Sequence, residues 1–403
     1  MRVFSLFHSD GGGARGVSPR FRSSFGVRAR PLTLPLPRSR GRGDAIDNPP
    51  VALTRREMLG LLSAAAAGAA SSRAGAAPEP STRPRAPVLG LDVNLPAGSP
   101  PAAQRAAYDL ARRTGVSLFG MTLSWSAAEP SPGQYRVAEL ARTARVLRQS
   151  GALLHLDLPL VAGRERDVPA DLSKTAFDDS KLSLRLGRLL DALQDAGALR
   201  DVWTLSLGYA ADVYFADKPE ELHAFRRLFD GAVGFLSRRA PNVRLGVTTL
   251  APTESPAPEV AAALHARSPI LFYIYSPFQG GKAYWHRNPD AIDRDWKEMF
   301  ARSGDRLLAF PEVSYSSSSE NGSSPEKQAE FVRRLRRQLA SGDARKLLFA
   351  RYVSWRDTSA EPEPVQGEEE AARRRAAFLA HRGLQDASGA PKAAWRAWLR
   401  ASP

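Results

Sequence analysis

The chain contains no cysteine, and this absence excludes several kinds of site. Without a thiol there is no disulfide, no lipid-anchored cysteine and no thiolate ligand for a metal ion. The six histidines are scattered, with no pair at i,i+4 and no HExxH sequence, so we expect no metal site. A phosphate-binding loop and a GxSxG nucleophile elbow are also missing, and we expect no cofactor.

Long uncharged apolar runs are equally scarce. The longest covers residues 58–70 and is rich in alanine and glycine. It is too short for a stable bilayer anchor, which needs about 20 apolar residues. We therefore expect no membrane span in the mature protein.

The same run follows two adjacent arginines, Arg55 and Arg56, in the sequence TRREMLG. Paired arginines, a short apolar segment and a small-x-small site at residues 74–76 resemble a bacterial twin-arginine signal peptide. This resemblance predicts cleavage before Ala77, the twin-arginine translocase as a partner during export, and a periplasmic or secreted protein. The competing interpretation is a buried alanine-rich helix.

The signal divides the chain into four parts. Residues 1–53 are rich in Arg, Gly, Pro and Ser, and we interpret them as disordered or as lying upstream of a true translation start near Val51. Residues 54–76 form the signal, 77–86 a linker and 87–403 one domain. More than half of the formal charge of +15 lies in residues 1–76, so the domain itself is only mildly basic.

From residue 88 onward, short apolar runs alternate with amphipathic stretches. The predicted strands are 88–94, 116–123, 152–158, 202–207, 243–248, 270–275, 307–313 and 347–355. The predicted helices are 101–114, 137–150, 180–196, 219–239, 257–266, 290–301, 325–340, 369–379 and 392–399. Eight strand–helix units in about 320 residues predict an α/β protein with a (β/α)8 (TIM) barrel. A doubly wound open sheet is the alternative, although its usual Gly-rich first turn is missing.

Aromatic and carboxylate side chains gather where the predicted strands end, which is where such barrels place their chemistry. Aromatic rings stack on sugar faces, and carboxylates bind sugar hydroxyls or cleave glycosidic bonds. Packing or a loop hydrogen bond is the competing interpretation of each residue taken singly. The candidate sugar-binding residues are Asp92, Asn94, Trp125, His155, Asp157, Tyr209, Tyr273, Tyr275, Tyr315 and Trp355.

Four segments make the resemblance to a known family specific. Residues 124–135 are similar to a W…EP…G.Y pattern, 205–214 to LGNEVD.Y, 310–331 to EVGYPS…NGSSEEKQAEF, and 383–395 to GL.D..G.PK.AW. These patterns resemble the clan A (β/α)8 glycoside hydrolases, in particular the endo-β-1,4-galactanase type. The resemblance implies that Glu312 stands at the nucleophile position and that Trp355 stacks on a sugar.

The resemblance fails at the other half of the mechanism. The clan's strand-four Asn-Glu pair, which supplies the general acid/base, falls on Tyr209 and Ala210. A retaining glycosidase needs two carboxyls about 5–5.5 Å apart. Asp212, two residues further on, is the candidate for a relocated acid, and Asp157 and Glu129 are other possible donors.

Three functions remain open at this point. The first is a polysaccharide- or oligosaccharide-cleaving enzyme that uses Glu312 and a displaced acid. The second is a catalytically silent barrel that binds glycans or helps to assemble an envelope polysaccharide. The third is a nucleic-acid binder, which export and the lack of a nucleic-acid-reading motif argue against.

Replacing Arg55 and Arg56 together by lysine should block export, because the twin-arginine pair is what the translocase would read. Cell fractionation with immunoblotting would measure this. Abundant peptides from residues 1–50 in the exported protein would contradict the assignment of the signal.

Overall fold

The computed structural model describes residues 86–95, 99–341, 345–358 and 369–400. The predicted upstream region, the signal peptide and all of the linker except residue 86 lie outside these ranges, so their assignments stay predictions. Within the described ranges, no helix combines the length and the apolar character that a membrane span requires.

Nine parallel strands form the barrel wall, in the order β7-β6-β3-β2-β1-β11-β10-β9-β8. They are β1 (Val88–Leu91), β2 (Leu118–Thr122), β3 (Leu153–Asp157), β6 (Thr204–Ser206), β7 (Arg244–Gly246), β8 (Thr248–Leu250), β9 (Ile270–Tyr275), β10 (Leu307–Val313) and β11 (Leu347–Tyr352). Only Val247 separates β7 from β8, so these two segments are one strand position, paired with β6 on one side and β9 on the other. The ring therefore has eight positions and closes, which confirms the predicted (β/α)8 barrel over the open sheet.

Twelve helices are described around and above this wall. They are α1 (Pro101–Arg113), α2 (Trp125–Ala128), α3 (Ala138–Gln149), α4 (Ser180–Asp195), α5 (Ala198–Asp201), α6 (Ala211–Asp217), α7 (Leu222–Arg239), α8 (Pro258–His265), α9 (Ala291–Arg302), α10 (Pro325–Ala340), α11 (Glu369–Ala380) and α12 (Ala393–Arg400). Local sequence sets several starts: the Ser324 hydroxyl accepts from the Lys327 amide, and Pro325 occupies the first turn of α10.

Some short elements at the barrel mouth, where the strands have their carboxyl ends, were not predicted from the sequence. One is helix α6, which begins shortly after the strand-four position. An antiparallel hairpin of β4 (Val161–Ala162) and β5 (Glu165–Arg166) follows β3. Both elements are too short for hydrophobic periodicity to reveal them.

The core has two layers, one on each face of the strands. Side chains from five of the strands, together with Trp203 just before β6, meet in the barrel interior: Val88, Leu118, Trp203, Ile270, Phe272, Ala309, Leu348 and Phe349. A larger cluster fills the space between strands and helices. A strand that is buried on both faces has a nearly continuous run of apolar residues in its sequence. This explains why the positions of the strands could be predicted.

Gly246→Ala should lower the free energy of unfolding by about 1–3 kcal/mol, the usual cost of overpacking a core. A Cβ at this position would lie 2.7 Å from the Phe272 ring in the filled interior. Gly231→Ala is the matched control, since a Cβ there meets nothing within 4 Å. In helix α7 this control should gain up to about 1 kcal/mol. Urea denaturation would measure both, and equal effects would contradict the assigned interior packing.

Candidate functional site

The carboxylate of Glu312 reaches the barrel mouth because β10 contains a bulge. Between Ala309 and Glu312 the strand advances three residues while its neighbour β9 advances two. Phe310 lies on the outer face, where its ring stacks on Trp296 of α9 with centroids 4.3 Å apart. Regular alternation would put residue 312 on that same outer face. The extra residue turns Glu312 inward, and bulges next to active sites commonly re-aim a side chain in this way.

Both carboxylate oxygens of Glu312 accept a hydrogen bond. The Tyr209 hydroxyl, after β6, donates to Oε2 at 2.5 Å. Arg382, between α11 and α12, donates from Nη1 to Oε1 at 2.7 Å. Because Glu312 is only 7% exposed, these charge-assisted bonds are shielded from water and fix the carboxylate firmly.

The Tyr209 hydroxyl is a hydrogen-bond donor and not an acid. Burial, followed by the negative charge of Glu312 and the hydrogen bond to it, raises the pKa of this hydroxyl well above its usual value. Tyr209 therefore keeps its proton at neutral pH. It occupies the side of Glu312 that faces the strand-four position.

Asp157 ends β3 beside this pair. Its Oδ1 lies 3.0 Å from His155 Nε2, and the other ring nitrogen of His155 lies 2.8 Å from Thr204 Oγ1. Arg351 Nη2 lies 3.7 Å from Asp157 Oδ2. Burial acts to raise the pKa of Asp157, but the interactions with His155 and Arg351 outweigh it and the pKa is lowered. Asp157 is thus held as an anion, which makes it a poor proton donor.

Ala210 is the residue that the sequence resemblance predicts at the position of the general acid/base. Its backbone is left-handed, with φ 48° and ψ 44°, immediately before α6. The side chain is fully buried and packs with Val213, Leu250 and Ile274. A methyl group supplies no proton, so Glu312 has no acid at the expected place.

Asp212, the candidate for a relocated acid, lies fully buried in α6. Its Oδ1 accepts from the Leu250 amide at 2.9 Å, and Oδ2 accepts from the Ser255 hydroxyl at 2.5 Å. Burial raises the pKa of Asp212 to about 6 despite these hydrogen bonds. The contacts tie α6 to the end of β8 and the loop after it. A catalytic role for Asp212 stays a prediction.

Glu129 and Trp125 hold each other in a buried cluster. The Trp125 indole donates to Glu129 at 2.8 Å, and Arg185 and the Gly133 amide also donate to this carboxylate. Trp125 is 0% exposed, so it offers no ring face to a ligand in this arrangement. These two residues of the strand-two pattern therefore fix the loop that follows β2.

Tyr273 and Tyr275 lie on the outer face of β9, whereas the sequence analysis placed them at the mouth. The Tyr273 ring contacts His265 of α8 at 5.0 Å. The Tyr275 hydroxyl donates to Asp295 of α9 at 2.9 Å. Between them, Ile274 packs inward with Ala210. The end of a strand was recognised correctly, but its period of two gives the inward position to the residue in between.

Tyr315 and Trp355 are buried as well. Tyr315 stacks on His286 at 4.0 Å and donates to the Arg287 carbonyl. Trp355 is 2% exposed and stacks on Trp395 at 5.5 Å. The Trp355 indole N–H is buried and has no hydrogen-bond partner within the described ranges. Its predicted role in sugar binding stays a prediction.

Asp92 and Asn94 lie in the segment after β1 and are partly exposed. The Asn94 amide is hydrogen-bonded to both backbone groups of Arg356, at 2.7 and 2.8 Å. The Asp92 carbonyl accepts from the Trp355 amide at 2.9 Å. Asn94 thus joins the segments that follow β1 and β11, and Asp92 lies beside Trp355.

Two guanidinium groups at the site, those of Arg351 and Arg382, were not found from the sequence. Arg351 lies inside β11 and Arg382 follows α11, so neither stands at the end of a predicted strand. Arginine is abundant throughout this chain, and nothing in the local sequence distinguishes these two. Across the described residues, no three His, Asp or Glu side chains come together in a way that could hold a metal ion.

The chain is similar to known proteins in its fold. No protein-family model matches the chain, and no curated protein does. Solved structures do match. A variant of GH5_18 from Streptomyces cattleya, in complex with Manb1-4GlcNAc, is 16% identical with a TM-score of 0.61, over 78% of this chain and 80% of that one.

Two further structures give the same result. A GH5_18 variant from Bifidobacterium longum subsp. longum ATCC 55813, also with Manb1-4GlcNAc, is 14% identical with a TM-score of 0.57, over 78% of each chain. Xylanase10C from Cellvibrio japonicus, in complex with xylopentaose, is 11% identical with a TM-score of 0.55, over 80% of this chain and 68% of that one. These neighbours are clan A glycoside hydrolases, and at this level of identity the likeness shows that the chain shares their (β/α)8 barrel fold.

Proposed function

We propose that this is an exported glycan-binding protein with a glycoside-hydrolase barrel, in which Glu312 keeps the nucleophile position while the general acid is lost. One observation carries the proposal: the strand-four side chain bonded to Glu312 is the hydroxyl of Tyr209, and the next residue is the buried Ala210. A retaining glycosidase has a second carboxyl on that side. Loss of general-acid assistance alone removes about 10²–10⁴ in rate.

The other carboxyl groups near the mouth support the same conclusion. Asp157 is held as an anion by His155 and Arg351. Asp212 accepts hydrogen bonds at both oxygens from groups at the end of β8. Asp157 is therefore no donor, and Asp212 is bonded at both oxygens to groups other than Glu312, so the proposal assigns no donor for a departing sugar oxygen.

The side chains at this mouth are suited to binding a neutral glycan. Carboxylates, guanidinium groups and a tyrosine hydroxyl are the partners that sugar hydroxyls use. Structural neighbours bind Manb1-4GlcNAc or xylopentaose in this fold. The motifs around Glu312 and in residues 383–395 resemble galactanases, which makes β-1,4-galactan the first polymer to test.

A slow retaining hydrolase is the second candidate, favoured by the fixed and inward-facing carboxylate of Glu312. Substrates with activated leaving groups need no acid, so attack by Glu312 could still open them. We also propose that the protein is exported to the periplasm or out of the cell and that residues 1–76 are removed. This part of the proposal rests on the twin-arginine pattern.

Isothermal titration with β-1,4-galacto-, manno- and xylo-oligosaccharides, paired with a reducing-sugar assay, tests the proposal. We expect binding of at least one series without release of sugar. Tyr209→Phe should weaken binding about 3- to 10-fold, the effect of losing one hydrogen bond in the mouth. Tyr273→Phe is the control, because it removes a hydroxyl from the outer face.

Wild-type hydrolysis of an unactivated glycan at an ordinary enzymatic rate, about 1 s⁻¹ or faster, would overturn the silent assignment. If an aryl glycoside alone is cleaved, and Glu312→Gln abolishes this cleavage, the slow hydrolase is correct. Absence of binding to every glycan tested, by a folded protein, would refute glycan recognition of these classes.

The double variant Tyr209→Asn with Ala210→Glu restores the clan pattern in sequence. We expect it to gain no hydrolysis and to be less stable than Tyr209→Asn alone. The new carboxylate would start from a left-handed, fully buried position packed against Val213 and Ile274. Burying an unpaired carboxylate in apolar surroundings is strongly unfavourable. Hydrolysis of the bound glycan by the double variant would show that the site is intact except for these two residues.

A further inference from the structure

Arg351 runs across the barrel interior from β11 and contacts two parts of the site. Its Nε donates to the carbonyl of Pro311 at 2.6 Å. Its Nη2 lies 3.7 Å from Asp157 at the end of β3. The residue is only 7% exposed, so these interactions are made away from water, where they are strong.

The path of this side chain depends on glycine in β2. A Cβ at residue 120 would lie 1.6 Å from Arg351 Nη1 and 2.3 Å from Cζ. Gly90 in β1 is similarly close, because a Cβ there would lie 2.9 Å from the Cβ of Arg351. The guanidinium group therefore occupies the space that a side chain at 120 would otherwise fill, and any residue with a Cβ there displaces it.

The carbonyl that Arg351 binds belongs to the bulge of β10. A bulge disrupts the ladder locally and leaves its extra residue unpaired. Pro311, which has no backbone N–H, is suited to such a place. Its carbonyl precedes Glu312 directly, so the bond from Arg351 fixes the peptide that decides which face Glu312 occupies.

We propose that Arg351 is the positioning residue for Glu312: it holds the Pro311 carbonyl so that the bulge aims the carboxylate into the mouth, and Gly120 provides the passage for its side chain. This inference rests on the proposed function only in taking Glu312 as a residue of the glycan site. Arg351 acts through Pro311, whereas Tyr209 and Arg382 touch the carboxylate itself.

Chemical labelling of carboxylates in the full chain tests this without a glycan. The probe is a water-soluble carbodiimide with glycine ethyl ester, and peptide mass spectrometry reports the labelling rate of each residue. In the wild type, Glu312 and Glu129 are both buried and hydrogen-bonded, so both should react slowly. Arg351→Met should speed the labelling of Glu312 about tenfold, the change expected when one charge-assisted hydrogen bond no longer holds the bulge. The labelling rate of Glu129 should not change.

Gly120→Ala provides a second, independent route, since it displaces the guanidinium group without removing its charge. It should speed the labelling of Glu312 as Arg351→Met does. Gly187→Ala is the matched control, because a Cβ there meets nothing within 4 Å. It should leave both labelling rates at the wild-type value.

Slow labelling of Glu312 in a folded Arg351→Met protein would overturn the proposal. An equal rise in the labelling rate of Glu129 would also overturn it, because it would show that the whole domain is destabilised. If Arg351→Met does not fold, Gly120→Ala decides in the same way. The positioning role and the proposed function can fail independently. If Arg351→Met loses glycan affinity while the labelling rate of Glu312 stays unchanged, the positioning role is refuted and the proposed function stands. If Glu312 is labelled faster but the wild-type protein binds no glycan, the positioning role stands and the proposed function is refuted.

Discussion

Alternation of side chains between the two faces of a strand is the constraint on which this site depends. In a closed barrel it decides whether a residue meets the interior or the surrounding helices. One extra residue in β10 reverses this order after Phe310, and Glu312 consequently faces Tyr209 instead of the helices. The bond from Arg382 to Glu312 follows from that reversal, and the bond from Arg351 to the Pro311 carbonyl lies within the bulge.

Buried charge at the mouth is balanced within a small region. Glu312 and Asp157 are carboxylates, and Arg382 and Arg351 are the cations that meet them. Unpaired burial of any one of these groups would be strongly destabilising, so each fixes the position of its partner. The same pairing holds the carboxylates in place, and Tyr209 remains a neutral donor to Glu312. The proposal that this mouth binds a glycan without cleaving it rests on this charge balance and on the alanine at position 210.

Features that depend on a pattern repeated along the chain were predicted correctly from the sequence, whereas features that depend on the position of a single residue were not. Eight apolar runs separated by amphipathic stretches sufficed to predict the barrel, since each strand is buried on both faces. The motif around Glu312 placed it correctly near the end of β10, and its role as nucleophile stays a prediction. Tyr273 and Tyr275 were placed on the wrong face, because one residue of register separates the inward position from the outward one. Arg382 carried no local signal at all.

The sequence by itself determined the barrel and the place of Glu312 at the end of its seventh strand position, and it predicted that Ala210 replaces the clan's acid. These are properties of pattern and residue identity, which need no neighbours in space. Tertiary structure decided which groups meet that carboxylate. Tyr209 and Arg382 lie 103 and 70 positions from Glu312 along the chain, so their meeting depends on closure of the ring and on the bulge. Closure and register arise from packing of the whole barrel, and no local segment encodes them.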